Sequence, residues 1–115
     1  MIQLKRIYDP PSELDGFRIL VERLWPRGIS KERAHIDLWL KEVAPSAELR
    51  KWFSHDPARW EEFQERYRKE LEVNPAVEQL LHLLRKEAAV TFIFAAHDVQ
   101  RNSATLLKGF IERGA

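Results

Sequence analysis

Length, composition and charge describe a small chain with balanced charge. It has 115 residues, 44% of them hydrophobic, and 19 Lys and Arg against 18 Asp and Glu give a formal net charge of +1. This length suits one hydrophobic core, so we expect residues 1–115 to form a single domain. The lack of cysteine excludes disulfides, thiolate metal sites and cysteine nucleophiles, and it agrees with a cytoplasmic location.

The net charge and the hydropathy of the chain also limit which kinds of partner we expect it to bind. An excess of one positive charge is too small to indicate a nucleic-acid partner. The longest apolar run, residues 88–96, is far shorter than a membrane-spanning helix, so no membrane association is expected.

The first third of the chain predicts two strands and a short helix. Residues 2–7 alternate apolar and polar side chains, as in a strand with one face in water near a sheet edge. Residues 17–24 are mostly apolar at both parities, which is typical of an interior strand covered on both faces. The gap between the two strands is short for a helical crossover, which favours a mixed sheet over a purely parallel one. Ser30 is a candidate N-cap for a helix over residues 31–34.

The middle of the chain predicts a third strand and three helices. Residues 36–43 fit a strand or a helix, and the alternation of Ile36, Leu38 and Leu40 favours the strand. Polar residues mark the three helix starts, at Ser46, at Asp56 before Pro57, and at Asn74 before Pro75. The second of these helices carries an apolar stripe of Trp60, Phe63, Tyr67 and Leu71.

The last quarter predicts the central strand and the final helix. Residues 89–96 form a nearly continuous apolar run, and Asp98 is a candidate cap for a helix that buries Val99 and ends near Gly114. The fold class is therefore α/β, with a small mixed or parallel sheet of about four strands and helices on both faces, a three-layer sandwich.

An anion-binding corner is predicted where residues 17–24 end. Its residues supply hydrogen-bond donors or, in the case of the glycine, a flexible backbone: Arg23, Trp25, Arg27, Gly28, Ser30 and Lys31. Arginine suits carboxylate and phosphate groups, and ligands of open α/β sheets bind at the strand ends. In the alternative interpretation Arg23 pairs with a buried carboxylate and the other residues only shape and pack the turn.

Histidines and one asparagine add candidate polar groups. His97 follows the central strand and reaches the same edge as the arginines if the two strands are parallel, and His55 is a second candidate acid or base. Asp56 and Asn102 are candidate ligand contacts, although Asp56 also suits a helix cap and Asn102 also suits a solvated first turn of the last helix. Pairs of His with Asp could form a two-histidine, one-carboxylate metal site, but helix capping explains the aspartates as well.

Several motifs resemble one family over nearly the whole chain. They are Arg-Leu-Trp-Pro-Arg-Gly at 23–28, Leu-Trp-Leu-Lys-Glu-Val-Ala-Pro-Ser at 38–46, Phe-x-His-Asp-Pro at 53–57, and Asn102 with Ala104 and Leu107. Together they resemble the domain-of-unknown-function 488 family, in its YeaO-like branch. The resemblance implies a small cytoplasmic bacterial or archaeal α/β domain with no settled activity.

The resemblance also bears on the site. It supports Arg23, Arg27, His55, Asp56 and Asn102, which match the polar motif positions of the family. Many relatives carry a Lys-Asp or similar pair after the last strand, where this chain has His97 and Asp98. That departure weakens a shared chemical role for His97.

Three hypotheses follow for function. The first is a domain that binds a small anion, such as phosphate, a nucleotide or a carboxylate, at this strand-end pocket, with His55 or His97 moving a proton if a reaction occurs. The second is a non-enzymatic module for protein or nucleic-acid partners, including a homodimer. The third is a metal-dependent hydrolase that uses the His-Asp pairs. The sequence does not decide whether the chain is an enzyme, and no cofactor and no metal ligand are assigned.

Overall fold

Four strands and five helices make up the fold in the computed structural model, which describes residues 2–114. The strands are β1 (Ile2–Arg6), β2 (Phe17–Leu20), β3 (Leu38–Trp39) and β4 (Val90–Phe94). The helices are α1 (Lys31–Ala34), α2 (Ala47–Phe53), α3 (Trp60–Glu72), α4 (Ala76–Lys86) and α5 (Ser103–Glu112). Single 3-10 turns lie at Glu13–Asp15, Lys41–Val43 and Pro57–Arg59. The α/β class and the predicted succession of elements are confirmed.

The sheet is parallel throughout, with the strand order β1-β4-β2-β3. β4 pairs with β1 on one side and β2 on the other, and all five of its residues are buried, as its apolar run predicted. β1 lies at an edge, again as predicted. The chain returns from β1 to the start of β2 through a 3-10 turn, so the short connection does not require an antiparallel strand.

The two faces of the sheet are covered unequally. On one face, Ile19, Phe92 and Phe94 pack against apolar side chains of α2, α3, α4 and α5 in the main core. On the other face, Leu20 and Ile93 pack against α1 and the loops beside it. The second covering layer is therefore thin, with one four-residue helix.

The starts of α1 and α2 follow the predicted capping residues, whereas Asp56 caps the 3-10 turn that precedes α3. The hydroxyl of Ser30 accepts a hydrogen bond from Arg33 N at the start of α1, and that of Ser46 accepts one from Leu49 N at the start of α2. The stripe of α3 is confirmed, since Phe63, Tyr67 and Leu71 are all buried. Even α3, the longest helix within residues 2–114 at 13 residues, is too short to span a membrane.

Two predicted strands are shorter than expected. β2 ends at Leu20 rather than residue 24, because the chain leaves the sheet after Val21 donates to the Ile93 carbonyl, and Leu24 is 60% exposed. Within residues 36–43 only Leu38–Trp39 pair as a strand, and the chain then enters a 3-10 turn.

The start of the last helix was predicted too early. Asp98 caps a separate turn by accepting hydrogen bonds from the N–H groups of Gln100 and Arg101, both at 2.9 Å. α5 begins at Ser103 with Asn102 as its N-cap. Val99 consequently lies outside the helix and is 59% exposed, contrary to its predicted burial.

A buried ionic network lies where β2 begins. The Asp15 carboxylate contacts Arg18 Nη1 at 2.5 Å and Lys5 Nζ at 2.7 Å, and it also accepts a hydrogen bond from Ser12 N. Burial alone would raise the pKa of Asp15, but these hydrogen bonds outweigh it and hold the pKa below 3.8. Arg18 is 4% exposed, and its other donors reach backbone carbonyls of α1 and the residue after it.

Candidate functional site

The carboxyl-terminal edge of the sheet brings several polar side chains together. Because β2 and β4 are parallel, Glu22 and Arg23 follow β2 at the same edge where Ala95 and His97 follow β4. Open parallel sheets bind their ligands at this edge. The charges of Arg50 and His55 act on the Glu22 carboxyl, and we call these three residues the strand-end site.

Glu22 carries the acidic group of the strand-end site. Its Oε2 accepts a hydrogen bond of 3.0 Å from Ala95 N, whereas Oε1 accepts none within residues 2–114 and is not sealed from solvent. Burial raises the pKa of the Glu22 carboxyl above 4.5, although the hydrogen bond from Ala95 and the charges of Arg50 and His55 act in the opposite direction. The carboxyl is thus fixed at one oxygen and free at the other.

Arg50 carries the basic group of the strand-end site. It lies on α2, close enough to Glu22 for its charge to act on that carboxyl, but the two side chains form no ion pair within the described residues. Arg50 Nε is buried and has no hydrogen-bond partner in this part of the chain. A buried unpaired donor costs about 1–3 kcal/mol, so such groups are rare and often mark a site for an additional partner.

The backbone at His55, the third member of the strand-end site, has an unusual conformation. Ser54 and His55 have φ angles of 47° and 55°, so two consecutive residues other than glycine adopt the left-handed conformation. Such residues are uncommon, and they concentrate at functional sites where surrounding contacts hold them. The conformation directs the chain from α2 to the Asp56 cap and places the exposed imidazole beside the Phe53 ring, with centroids 6.1 Å apart.

Arg23 and Trp25 of the predicted corner form hydrogen bonds within the protein. Arg23 donates to the carbonyls of Pro45 and Ala44, at 3.0 and 2.9 Å, rather than to a buried carboxylate. Trp25 donates from Nε1 to the Ile29 carbonyl at 2.8 Å and packs edge-on against Trp39. Both side chains fix the loop that follows β2.

The rest of the predicted corner lies on the surface. The Arg27 side chain is exposed, and its carbonyl accepts a hydrogen bond of 2.9 Å from the Tyr8 hydroxyl. Gly28 has φ 77° with open space around it, which suits close approach of a ligand to the backbone. Ser30 is engaged as the cap of α1.

The remaining predicted residues are one exposed histidine and two capping residues. His97 is exposed in the segment after β4. Asp56 accepts a hydrogen bond from Ala58 N and lies 3.7 Å from Arg59 Nε. Asn102 is buried, donates from Nδ2 to the Asp98 carbonyl and accepts from Thr105 N. Its amide nitrogen and its amide oxygen are therefore both engaged inside the protein.

Metal ligands do not cluster in the described part of the chain. Among residues 2–114, no three His, Asp or Glu side chains lie close enough to hold one ion. The His-Asp pairs of the metal-dependent hypothesis therefore do not meet in this range.

Sequence reasoning missed two members of the strand-end site. Glu22 did carry a signal, because it is an acidic residue within a run that is otherwise typical of a buried strand. Arg50 carried none, since it resembles the exposed Glu48 and Lys51 of the same helix. Its effect on Glu22 depends on the approach of two segments that lie far apart in the sequence.

Comparisons with known proteins agree with the resemblance in the motifs. A family model described as "Inactive DUF488-N3 subclade" matches residues 1–114. The uncharacterized protein YeaO of Escherichia coli strain K12 is 40% identical over 110 residues, covering 96% of each chain. An uncharacterized protein of Mycobacterium tuberculosis strain H37Rv is 40% identical over 106 residues, covering 92% of this chain and 89% of the relative. No solved structure matches significantly. The chain therefore belongs to the domain-of-unknown-function 488 family, in its YeaO-like branch.

Proposed function

We propose that this chain is a cytoplasmic binding domain that holds a small anion, such as phosphate, a nucleotide or a carboxylate, at the strand-end site without transforming it. The unpaired, buried Nε–H of Arg50 carries the proposal. A bound oxyanion would supply the missing acceptor, and hydrogen bonds to charged groups contribute about 1.5–3 kcal/mol each.

Other basic side chains follow the strands at this edge of the sheet. His55 acts on the same carboxyl as Arg50, while His97 after β4 and Arg27 beside Tyr8 are exposed near the ends of the strands. In this proposal Arg50 is the principal anion contact, and Arg27, Gly28 and His97 provide the outer part of the pocket.

A binding role is favoured over catalysis by the family description. The matched family model is described as inactive. His55 and His97 are both exposed, whereas acid–base catalysis requires a group held against a bound substrate.

Titration calorimetry with inorganic phosphate, acetate and adenosine monophosphate tests this function. We expect at least one of them to bind and Arg50→Gln to weaken it about tenfold or more, since about 1.4 kcal/mol corresponds to one factor of ten. Lys51→Gln is the matched control, because it removes an exposed charge from the next position of α2.

Two results would contradict the proposal. One is the absence of binding by all three probes, or equal binding by the Arg50→Gln and Lys51→Gln proteins. The other is conversion of the nucleotide, which phosphorus NMR of the recovered ligand would reveal and which would restore the enzymatic alternative.

A protein-binding role is the second candidate, and exposed apolar side chains favour it. Tyr8, Leu24 and Val99 are 45%, 60% and 59% exposed, and they follow β1, β2 and β4 at the same edge of the sheet. Light scattering over a range of concentrations tests for a homodimer. If a dimer forms and Leu24→Ser with Val99→Ser dissociates it, this edge is a protein interface; a monomer at all concentrations excludes self-association there.

A further inference from the structure

We infer that a cleft between α3 and α5 binds a small carboxylate that carries an apolar group, of the kind represented by benzoate and hexanoate. The cleft shares no residue with the strand-end site, so this inference is independent of the proposed function. Its volume is about 160 Å³. An apolar cavity of about 150 Å³ is large enough to bind benzene, so one ring or a short alkyl chain fits the cleft.

The inner walls of the cleft are apolar. Tyr67 and Leu71 line it from α3, and Leu106 and Phe110 line it from α5. Each pair is four residues apart, which places both of its members on the same side of their helix. The Tyr67 hydroxyl donates to the Val43 carbonyl at 2.6 Å, so it is already used inside the protein. These walls suit an apolar group and offer little to a bare anion such as phosphate.

Two arginines line the cleft, and they differ in whether their charge is already compensated. Arg68 pairs with Glu65 and, at 3.0 Å, with Glu72, so its charge is balanced within α3. Arg113, which follows α5, is exposed and forms no ion pair within residues 2–114. A guanidinium can hold a carboxylate through two parallel N–H donors. Arg113 is therefore the group that would bind the ligand carboxylate.

A glycine inside α5 leaves room for the Arg113 guanidinium to lie against the helix. A Cβ at Gly109 would lie 3.3 Å from Arg113 Nη1 and 3.6 Å from Nη2, so any larger residue would crowd the guanidinium. Glycine destabilises a helix interior relative to alanine, so its presence here calls for a reason. Attraction to the carbonyl end of α5 would also favour a cation at position 113, but that attraction does not require a glycine. Close approach of Arg113 to the helix beside the cleft does.

Benzoate and hexanoate provide the test, with acetate and the matching alcohols, benzyl alcohol and hexanol, as probes that lack either the apolar group or the charge. Binding to the unmodified protein is followed by the NMR signals of the Leu71 and Leu106 methyl groups, which belong to the two walls of the cleft. We expect benzoate or hexanoate to shift both signals. The same carboxylate should bind at least tenfold more tightly than acetate and than its own alcohol.

Variants then assign the carboxylate contact. Arg113→Gln is expected to weaken the carboxylate to the level of its alcohol, whereas alcohol binding should not change. Arg85→Gln is the matched control, because it removes an exposed arginine from the last turn of α4, outside the cleft, and it should change neither. Equal binding by the carboxylate and its alcohol, or by the two variants, would overturn the inference, and so would the absence of any shift in both methyl signals. A carboxylate that loses its binding in Arg50→Gln but keeps it in Arg113→Gln occupies the strand-end site, which supports the proposed function and refutes this one.

Discussion

Removal of the Asp15 carboxylate tests whether the ionic network holds β1 and β2 together. In Asp15→Asn the side chain keeps its shape and one acceptor but loses its charge. Arg18, at 4% exposure, would then be a buried cation without a carboxylate. Breaking a buried pair by removing one partner costs about 3–5 kcal/mol.

The structure places the expected cost at the lower end of that range. Lys5, the second cation on Asp15, is 23% exposed and can turn towards water, and Arg18 keeps its hydrogen bonds to the carbonyls of Ala34 and His35. We therefore expect a loss of about 3 kcal/mol in the free energy of unfolding. This is a large part of the total of about 5–15 kcal/mol for a typical domain.

Urea unfolding at pH 7 measures this loss, with Glu62→Gln as the matched control. Glu62 also pairs with an arginine, Arg66, but these side chains are 54% and 50% exposed, so the control should lose at most about 1 kcal/mol. The pKa of Asp15 is lowered on folding, so its contribution is present above pH 3.8 and is lost as the pH falls through the lower, folded value. The gap between wild type and Asp15→Asn should narrow below pH 3.8. A loss no larger than that of Glu62→Gln would refute the reasoning.

Three further predictions concern close packing, burial of charge and capping. Gly16→Ala should lower the free energy of unfolding by more than about 2 kcal/mol, because at φ 65° the new Cβ would lie 2.7 Å from the Ala89 Cβ and against the Ala89 carbonyl. Gly28→Ala, in open space at φ 77°, should cost only the left-handed backbone strain of about 1–2 kcal/mol. Equal shifts in the melting temperatures of the two variants would contradict this. Glu22→Gln should stabilise the protein at pH 7, because burial raises the pKa of Glu22 and the ionised carboxylate therefore lowers stability as the pH rises through and above 4.5. In urea unfolding, the gain in stability should fade below that pH. A gain that persists there would count against the burial of the charge. Asn102→Ala should cost about 1–2 kcal/mol in urea unfolding through loss of the α5 cap, and a cost near zero would show that the cap is not needed.

Local patterns predicted most of the elements, because their causes lie within a few residues. The stripe on α3 requires only the spacing of Phe63, Tyr67 and Leu71, and the starts of α1 and α2 require only Ser30 and Ser46. The end of β2 could not be predicted in this way. Val21 and Leu24 continue the apolar pattern, although the last pairs of β2 are those of Leu20 with Trp39 and Ile93.

The site depended on contacts that local patterns do not contain. Arg23 resembles an anion-binding residue in sequence, but it donates to the carbonyls of Ala44 and Pro45, which are 21 and 22 positions away. Arg50 resembles a solvated helix residue, but its Nε is buried in the folded chain. Only His55 among the members of the strand-end site was predicted from the sequence.

The strand order has a consequence for how the chain acquires its structure. β1 and β2 come first in the sequence but do not pair with each other, because β4 (Val90–Phe94) lies between them. A growing chain therefore cannot complete its sheet until its C-terminal quarter has left the ribosome, and pairings of such long range form slowly. Any truncation before residue 90 would leave the edges of both early strands without a partner and open to aggregation.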